Sequence, residues 1–179
     1  MLDLRKKKQI KKAADDILSC VHSDNEFSID ILAIVNDLRI NLVPVEELDS
    51  SISGFSAVRN GKKIIGLVKS DLETERGRFT VAHELGHLTL HQNSLINYSG
   101  QEVFFRHNHG PEKYDIKEIE ANYFAACILM PEDKLQKCVS ELFSSNFMPA
   151  SGIETLARNF KVSTTAMTVR LCDLGYNLF

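Results

Sequence analysis

Two histidines and a glutamate, His83, Glu84 and His87, form a His-Glu-x-x-His run inside the apolar stretch Val81 to Leu90. Each residue of an α-helix turns by about 100°, so residues four apart sit about 40° from each other, one turn along the same face. His83 and His87 can therefore bring two imidazoles to a single Zn²⁺. Glu84 points elsewhere around the helix, where its carboxylate can reach a water beside the ion and take its proton. The run supplies two metal ligands and a base.

A catalytic zinc commonly takes three protein ligands and keeps a fourth position open, so another donor is needed. His91 follows His87 by four residues, but it is rotated about 80° from His83 and displaced by two turns. It reads as an ordinary helix-end histidine. Residues from Pro111-Glu112 to Met130, stopped by Pro131, read as a long helix in which Glu118 and Asn122 share a face. Glu120 lies about 200° from Glu118, so the two cannot serve one ion. Acidic residues also favour the first turns of any helix, which is the plain alternative for Glu118. Against it, Ala121 to Met130 is apolar almost all round. Such a helix must be buried, and an unpaired carboxylate beside it is costly. Glu118 is the expected third ligand, and Asn122 is spaced to orient a ligand.

The elements that position these residues are also visible. Residues 5–21 read as an amphipathic helix with Ile10, Ala14 and Ile17 on one side and a solvated lysine face on the other. Ser28 to Asp30 open a second helix, and Ile40 to Val45 switch to an extended pattern. Ile52 to Val58 and Lys63 to Val68 flank Asn60-Gly61, the strongest short hairpin signal. The last strand of that hairpin is a candidate edge for an added peptide. Gln92 to Pro111, rich in Asn, Ser, Gly and His, reads as a long loop over the site. Beyond Pro131 come a helix from Glu132 to Phe143 and two short helices joined at Lys161-Val162-Ser163, spaced as a helix-turn-helix. The fold class expected is α+β: a mainly helical metallopeptidase domain with a small antiparallel β-sheet before the His83 helix. Residues 1–179 are expected to form a single domain, with N-terminal helices and a strand (1–50), a catalytic core (51–131) and C-terminal helices (132–179).

Composition narrows the function classes. With 21 basic against 24 acidic residues and a net charge of −3, the chain is no coat for nucleic acid or an anionic membrane. No apolar run approaches the roughly 18 residues of a membrane span, and Ala13-Ala14-Asp15-Asp16, not an apolar h-region, follows the N-terminal lysines. A soluble, cytoplasmic protein is expected. Cys20, Cys127, Cys138 and Cys172 form no Cys-x-x-Cys pair and read as reduced, buried thiols.

Arg78-Phe79-Thr80 before His83-Glu84-Leu85-Gly86-His87, then Glu118-x-x-Ala121-Asn122-x-Phe124-Ala125-Ala126 and Leu129-Met130-Pro131, together resemble the ImmA/IrrE family of zinc metallopeptidases. The resemblance covers roughly Ile52 to Pro131. It implies a gluzincin-like centre in which His83, His87 and Glu118 hold zinc, with Glu84 as the catalytic base. It also implies a role in bacteria or mobile elements: cleaving a DNA-binding helix-turn-helix repressor as an anti-repressor protease. The competing reading is a DNA-binding regulator with a structural or sensory zinc. From Ser151 to Phe179, Arg158, Lys161 and Arg170 stand against Glu154 and Asp173. That surplus is thin for holding phosphates, so the C-terminal helices are expected to pack or to recognise a protein rather than DNA. Arg106, His107, His109, Tyr114 and Tyr123 are all candidates for stabilising an oxyanion. His107-Asn108-His109 reads as an exposed polar loop, and His22 carries no signal.

Overall fold

Helix α3 (Glu75–Leu90), which carries His83 and Glu84, begins at Thr74, whose hydroxyl accepts the Gly77 amide at 3.0 Å. From Thr80 to Leu88 every residue is buried. A helix without a solvent face needs partners all round. In the computed structural model, which describes residues 2–20, 26–48, 52–91, 101–107, 116–142 and 147–178, a β-sheet packs on α3. Helix α4 (Ile116–Leu129) also packs on it, with α1 (Leu4–Leu18) and α2 (Ile31–Asp37) adding further contacts.

The sheet contains β1 (Asn41–Val45), β2 (Ile52–Arg59), β3 (Lys62–Val68) and β4 (Gln101–His107) in the order β1-β3-β2-β4. Between β2 and β3, Asn60 and Gly61 take φ of +50° and +74°, the left-handed pair that a two-residue hairpin turn requires. The antiparallel core of the sheet is thus the predicted one. Strand β1 joins it in parallel, from Asn41 opposite Ile64 to Val45 opposite Val68, and makes the sheet mixed. This corrects the expectation that β3 is an edge, because β1 covers it. Pro44 has no N–H to give a ladder, and it is tolerated because β1 is the outer strand.

The reading of residues 92–111 as an unbroken loop is corrected too. Residues 101–107 form β4, which runs antiparallel to β2 with Arg59 opposite Gln101 and Ala57 opposite Val103. The polar flanks hide a seven-residue strand whose backbone pairs along one edge with β2. Residues 92–100 and 108–115 lie outside the described chain, as do His22, His109 and Tyr114.

Helix α5 (Glu132–Leu142) follows Pro131, and a two-residue strand β5 (Phe147–Met148) pairs in parallel with β6 (Asn177–Leu178). Helices α6 (Ala150–Phe160) and α7 (Thr164–Asp173) meet as their spacing predicts: Lys161 ends the first at φ +52°, and Ser163 caps the second by accepting the Ala166 amide. Leu156, Phe160, Met167 and Leu171 are fully buried in the same core as Leu85 and Phe124. Burying one such side chain contributes about 1.5–3 kcal/mol. Two arginines fix this junction. Arg78 on α3 donates to the Ile29 carbonyl at 2.7 Å and the Lys161 carbonyl at 3.1 Å. Arg170 on α7 donates through Nε to the Met130 carbonyl at 3.2 Å, beyond the end of α4. That carbonyl has no successor amide within the helix.

Two smaller expectations change. Cys127 and Cys138 are buried, but Cys20 lies exposed beyond α1, and Cys172 is on the outer face of α7. The lysines of α1 are not all solvated, because Lys6 reaches Glu120 of α4 and Lys7 pairs with Asp173 of α7.

Helix α3 meets α4 at Gly86. A Cβ there would lie 3.1 Å from Phe124 Cδ1, 3.2 Å from Ala121 Cα and 3.3 Å from the Ala121 carbonyl oxygen. The absence of a side chain sets how closely the two helices approach. Gly86→Val is expected to force them apart, destabilising the fold by about 1–3 kcal/mol. Urea denaturation of the variant against wild type measures it.

Candidate metal centre

Because α3 and α4 lie so close, a carboxylate in the first turn of α4 reaches across to the two imidazoles of α3. Glu118 Oε2 lies 3.1 Å from His83 Nε2, and Glu118 Oε1 lies 3.0 Å from His87 Nε2. The two Nε2 atoms are 3.0 Å apart. These three residues form a group that can hold a metal ion. Both histidines are buried, whereas the Glu118 side chain is 37% exposed, so the site opens to solvent on the α4 side.

The donor set fits an ion. Asn122 Oδ1 lies 2.9 Å from His83 Nδ1. An amide oxygen only accepts, so that nitrogen carries the ring proton and Nε2 carries the lone pair. Lone pairs and a carboxylate converging within about 3 Å repel one another unless a cation or shared protons lie between them. Tetrahedral Zn²⁺ with bonds of about 2.0–2.1 Å spaces its ligand atoms by about 3.3 Å, so a few tenths of an ångström of opening is enough. Burial opposes ionisation of Glu118, but wherever His83 and His87 are protonated their hydrogen bonds and charges outweigh it and hold the carboxyl far below its usual range.

Asn122 takes the orienting position expected from its spacing. Glu120, as expected, is turned away from the group. His91 departs from its reading. It does not belong to the donor group, yet it is no ordinary helix-end residue: it is buried, with Nδ1 3.1 Å from His87 Nδ1 and Nε2 3.0 Å from Glu120 Oε2. The signal was present in the sequence, because His91 follows His87 by the same four residues that separate His83 from His87. Burial pushes the His91 imidazole down against the opposing pull of Glu120. For Glu120, burial is again the largest influence, but His91 and Lys6 together hold its carboxyl below the ordinary value.

Glu84 is fully buried on the flank of α3 that faces β2. A Cβ at Gly54 would stand 3.7 Å from Glu84 Cγ, so this strand closes over the proposed base. Tyr123, among the oxyanion candidates, stands near Lys7 and Arg170, and burial with the nearby Cys127 and Asp173 pushes its phenol up to about 12. The side chains of Arg106 and His107 lie outside the described residues, although their backbone belongs to β4. Beside Asn122 a groove of about 550 Å³ runs between α4 and α7, with Phe79, Ile119 and Val169 among its walls.

Over residues 36–172 the chain matches the family described as the IrrE N-terminal-like domain. It is 28% identical over 123 residues to an uncharacterized immunity region protein of Bacillus phage phi105, a stretch that covers 69% of each chain. The fold also resembles a Mycobacterium tuberculosis transcriptional regulator with a TM-score of 0.60 at 18% identity, covering 91% of this chain and 46% of that one. This chain therefore spans about half the length of that regulator, and the likeness is one of fold. Among the described residues, no helix is long and apolar enough to cross a membrane.

Removing the partner of a ligating histidine typically costs about 10–100-fold in metal affinity. Asn122→Ala is expected to weaken binding of a divalent ion by that factor, and Glu118→Ala by more, since it deletes a donor. Competition against a chromophoric chelator ranks the two variants against wild type.

Proposed function

The chain belongs to the IrrE N-terminal-like peptidase family, and on that premise we propose that it is a zinc-dependent endopeptidase of the cytoplasm whose substrate is a helix-turn-helix repressor. The observation that carries the enzymatic reading is the convergence of His83 Nε2, His87 Nε2 and the Glu118 carboxylate within 3.1 Å of one another. Two imidazoles and one carboxylate suit Zn²⁺, and three protein ligands leave a position open for reaction. The repressor as substrate is supported by the motif resemblance and by the name of the phage relative, an immunity region protein.

A bound Zn²⁺ would supply Lewis acidity, polarising a peptide carbonyl and lowering the pKa of water from 15.7 towards about 7. The protein's part is general acid–base work and positioning. Glu84, one residue after His83 and enclosed between α3 and β2, is the group assigned to take the proton from the attacking water. It then returns that proton to the departing amine. Burial favours this cycle, because a desolvated carboxylate is a better proton acceptor than a solvated one. Asn122 and His91 hold the ligand rings while Glu118, from the other helix, fixes their separation.

The alternative of a DNA-binding regulator with a structural or sensory zinc rests on α6 and α7. One of its three cations is withdrawn: Arg170 is 2% exposed and engaged with the Met130 carbonyl, which leaves Arg158 and Lys161 exposed. On the exposed face of α7, Val169 is 62% exposed, and its neighbours are threonines and serine. This face is poor in phosphate-binding groups and better suited to a protein surface.

Glu84→Gln removes a base and no ligand. It is expected to retain zinc while losing cleavage by about 10²–10⁴-fold. Wild type and variant are incubated with zinc and a helix-turn-helix repressor as the test substrate, and fragments are read by mass spectrometry. A site-specific cut that persists undiminished in the variant sinks the assignment of Glu84.

A further inference from the structure

We propose that Lys6, Glu120 and His91 form a positioning chain that fixes the tautomer of His87 and so sets the affinity of the metal centre from helix α1. The inference rests on the metal-centre reading given above. It adds a control that none of the liganding residues supplies, running from a lysine in the first turn of the N-terminal helix to a ligand on α3.

The links are ordered by hydrogen-bond polarity. Lys6 Nζ lies 3.0 Å from Glu120 Oε1, and the other oxygen, Oε2, lies 3.0 Å from His91 Nε2. A carboxylate paired with a lysine only accepts, so His91 Nε2 carries a proton and donates. The remaining ring nitrogen of a neutral His91, Nδ1, is then an acceptor. It faces His87 Nδ1 at 3.1 Å, which must donate. With its proton on Nδ1, His87 turns an unprotonated Nε2 towards His83 and Glu118. With His91 neutral, each step leaves the next nitrogen a single choice.

Burial gives the chain its leverage. His91 and Glu120 are each 6% exposed, so little water competes for their hydrogen bonds. His83 is held differently, by the amide of Asn122, which stands on the exposed face of α4. One ligand is thus oriented by a neutral, solvent-facing group and the other by a buried His91–Glu120 pair anchored on the half-exposed Lys6 of another helix. Outer partners of this kind orient the ring and raise its basicity as a ligand. A purely packing role for His91 would fill the same volume without dictating which nitrogen of His87 bears the proton.

Two readouts test the proposal, both independent of peptidase activity. Long-range ¹H–¹⁵N spectra of the metal-free protein report the His87 tautomer, and chelator competition reports zinc affinity. Wild type is expected to show protonated Nδ1 at His87. His91→Phe and Glu120→Ala are expected to give mixed tautomers and to lose about 10–100-fold in affinity. Glu120→Gln, whose amide oxygen still accepts from His91, is expected to recover most of that loss. Lys6→Met is expected to shift both readouts in the same direction by a smaller factor. Lys12→Met, which breaks a solvated pair with Asp16 on the same helix, is expected to change neither. Circular dichroism identifies a variant that does not fold, and the Glu120→Gln and Lys6→Met variants then carry the test. Unchanged tautomer and affinity in the folded variants overturn the chain. Failure of wild type to bind any divalent ion overturns the metal-centre reading instead, and the tautomer of the metal-free protein still decides the chain.

Discussion

The separation between α3 and α4 is the constraint on which the rest depends. With Gly86 against Ala121 and Phe124, the two helix backbones approach as closely as a missing side chain allows. At that separation a carboxylate at the start of α4 spans both imidazoles of α3 with its two oxygens. A wider gap would leave the histidines on one helix and the acid on another, with nothing to join them. The packing of one glycine thus decides whether three residues scattered over 36 positions of sequence, from His83 to Glu118, become a single group.

That constraint explains why so much of the fold surrounds α3. The helix is buried from Thr80 to Leu88, pressed by the sheet and by α4. Arg78 extends its reach, tying the carbonyl of Ile29 before α2 to that of Lys161 between α6 and α7. Hydrogen bonds from a charged donor contribute more than neutral ones, about 1.5–3 kcal/mol each. The helix-turn-helix-like pair is therefore held as part of the core, and one of its two arginines, Arg170, is engaged inside the protein. The fold sacrifices a solvent face for α3 and gains a rigid platform for buried polar groups, which are tolerable only when their geometry is fixed.

Much of this was legible from residue spacing. The His83–His87 pair, the shared face of Glu118 and Asn122, and the exclusion of Glu120 all follow from the period of a helix. The Asn60-Gly61 turn follows from the positive φ that those residues accept. Local pattern failed where the partner was remote. Strand β4 is seven residues between polar flanks, and only β2 makes it a strand. Strand β1 pairs directly with β3, skipping the strand that follows it in sequence, which no local rule announces. His91 shares the spacing of its neighbours, and its angle from His83 excludes it as a ligand without revealing its contact with His87. Its role is set by the distance to His87 and by Glu120 on another helix.

The order of the strands gives the sheet two unequal margins. On one side stands β1, whose Pro44 interrupts the row of amide donors along the outer edge. On the other stands β4, with no strand beyond it among the described residues. Edge strands are templates for further pairing, and a proline is one of the ways proteins spoil such a template. Among the described strands the two margins are therefore unequal templates. Among the described residues, an extended chain finds a proline-interrupted strand at β1 and a seven-residue run of main chain at β4, so sheet extension would favour the β4 margin.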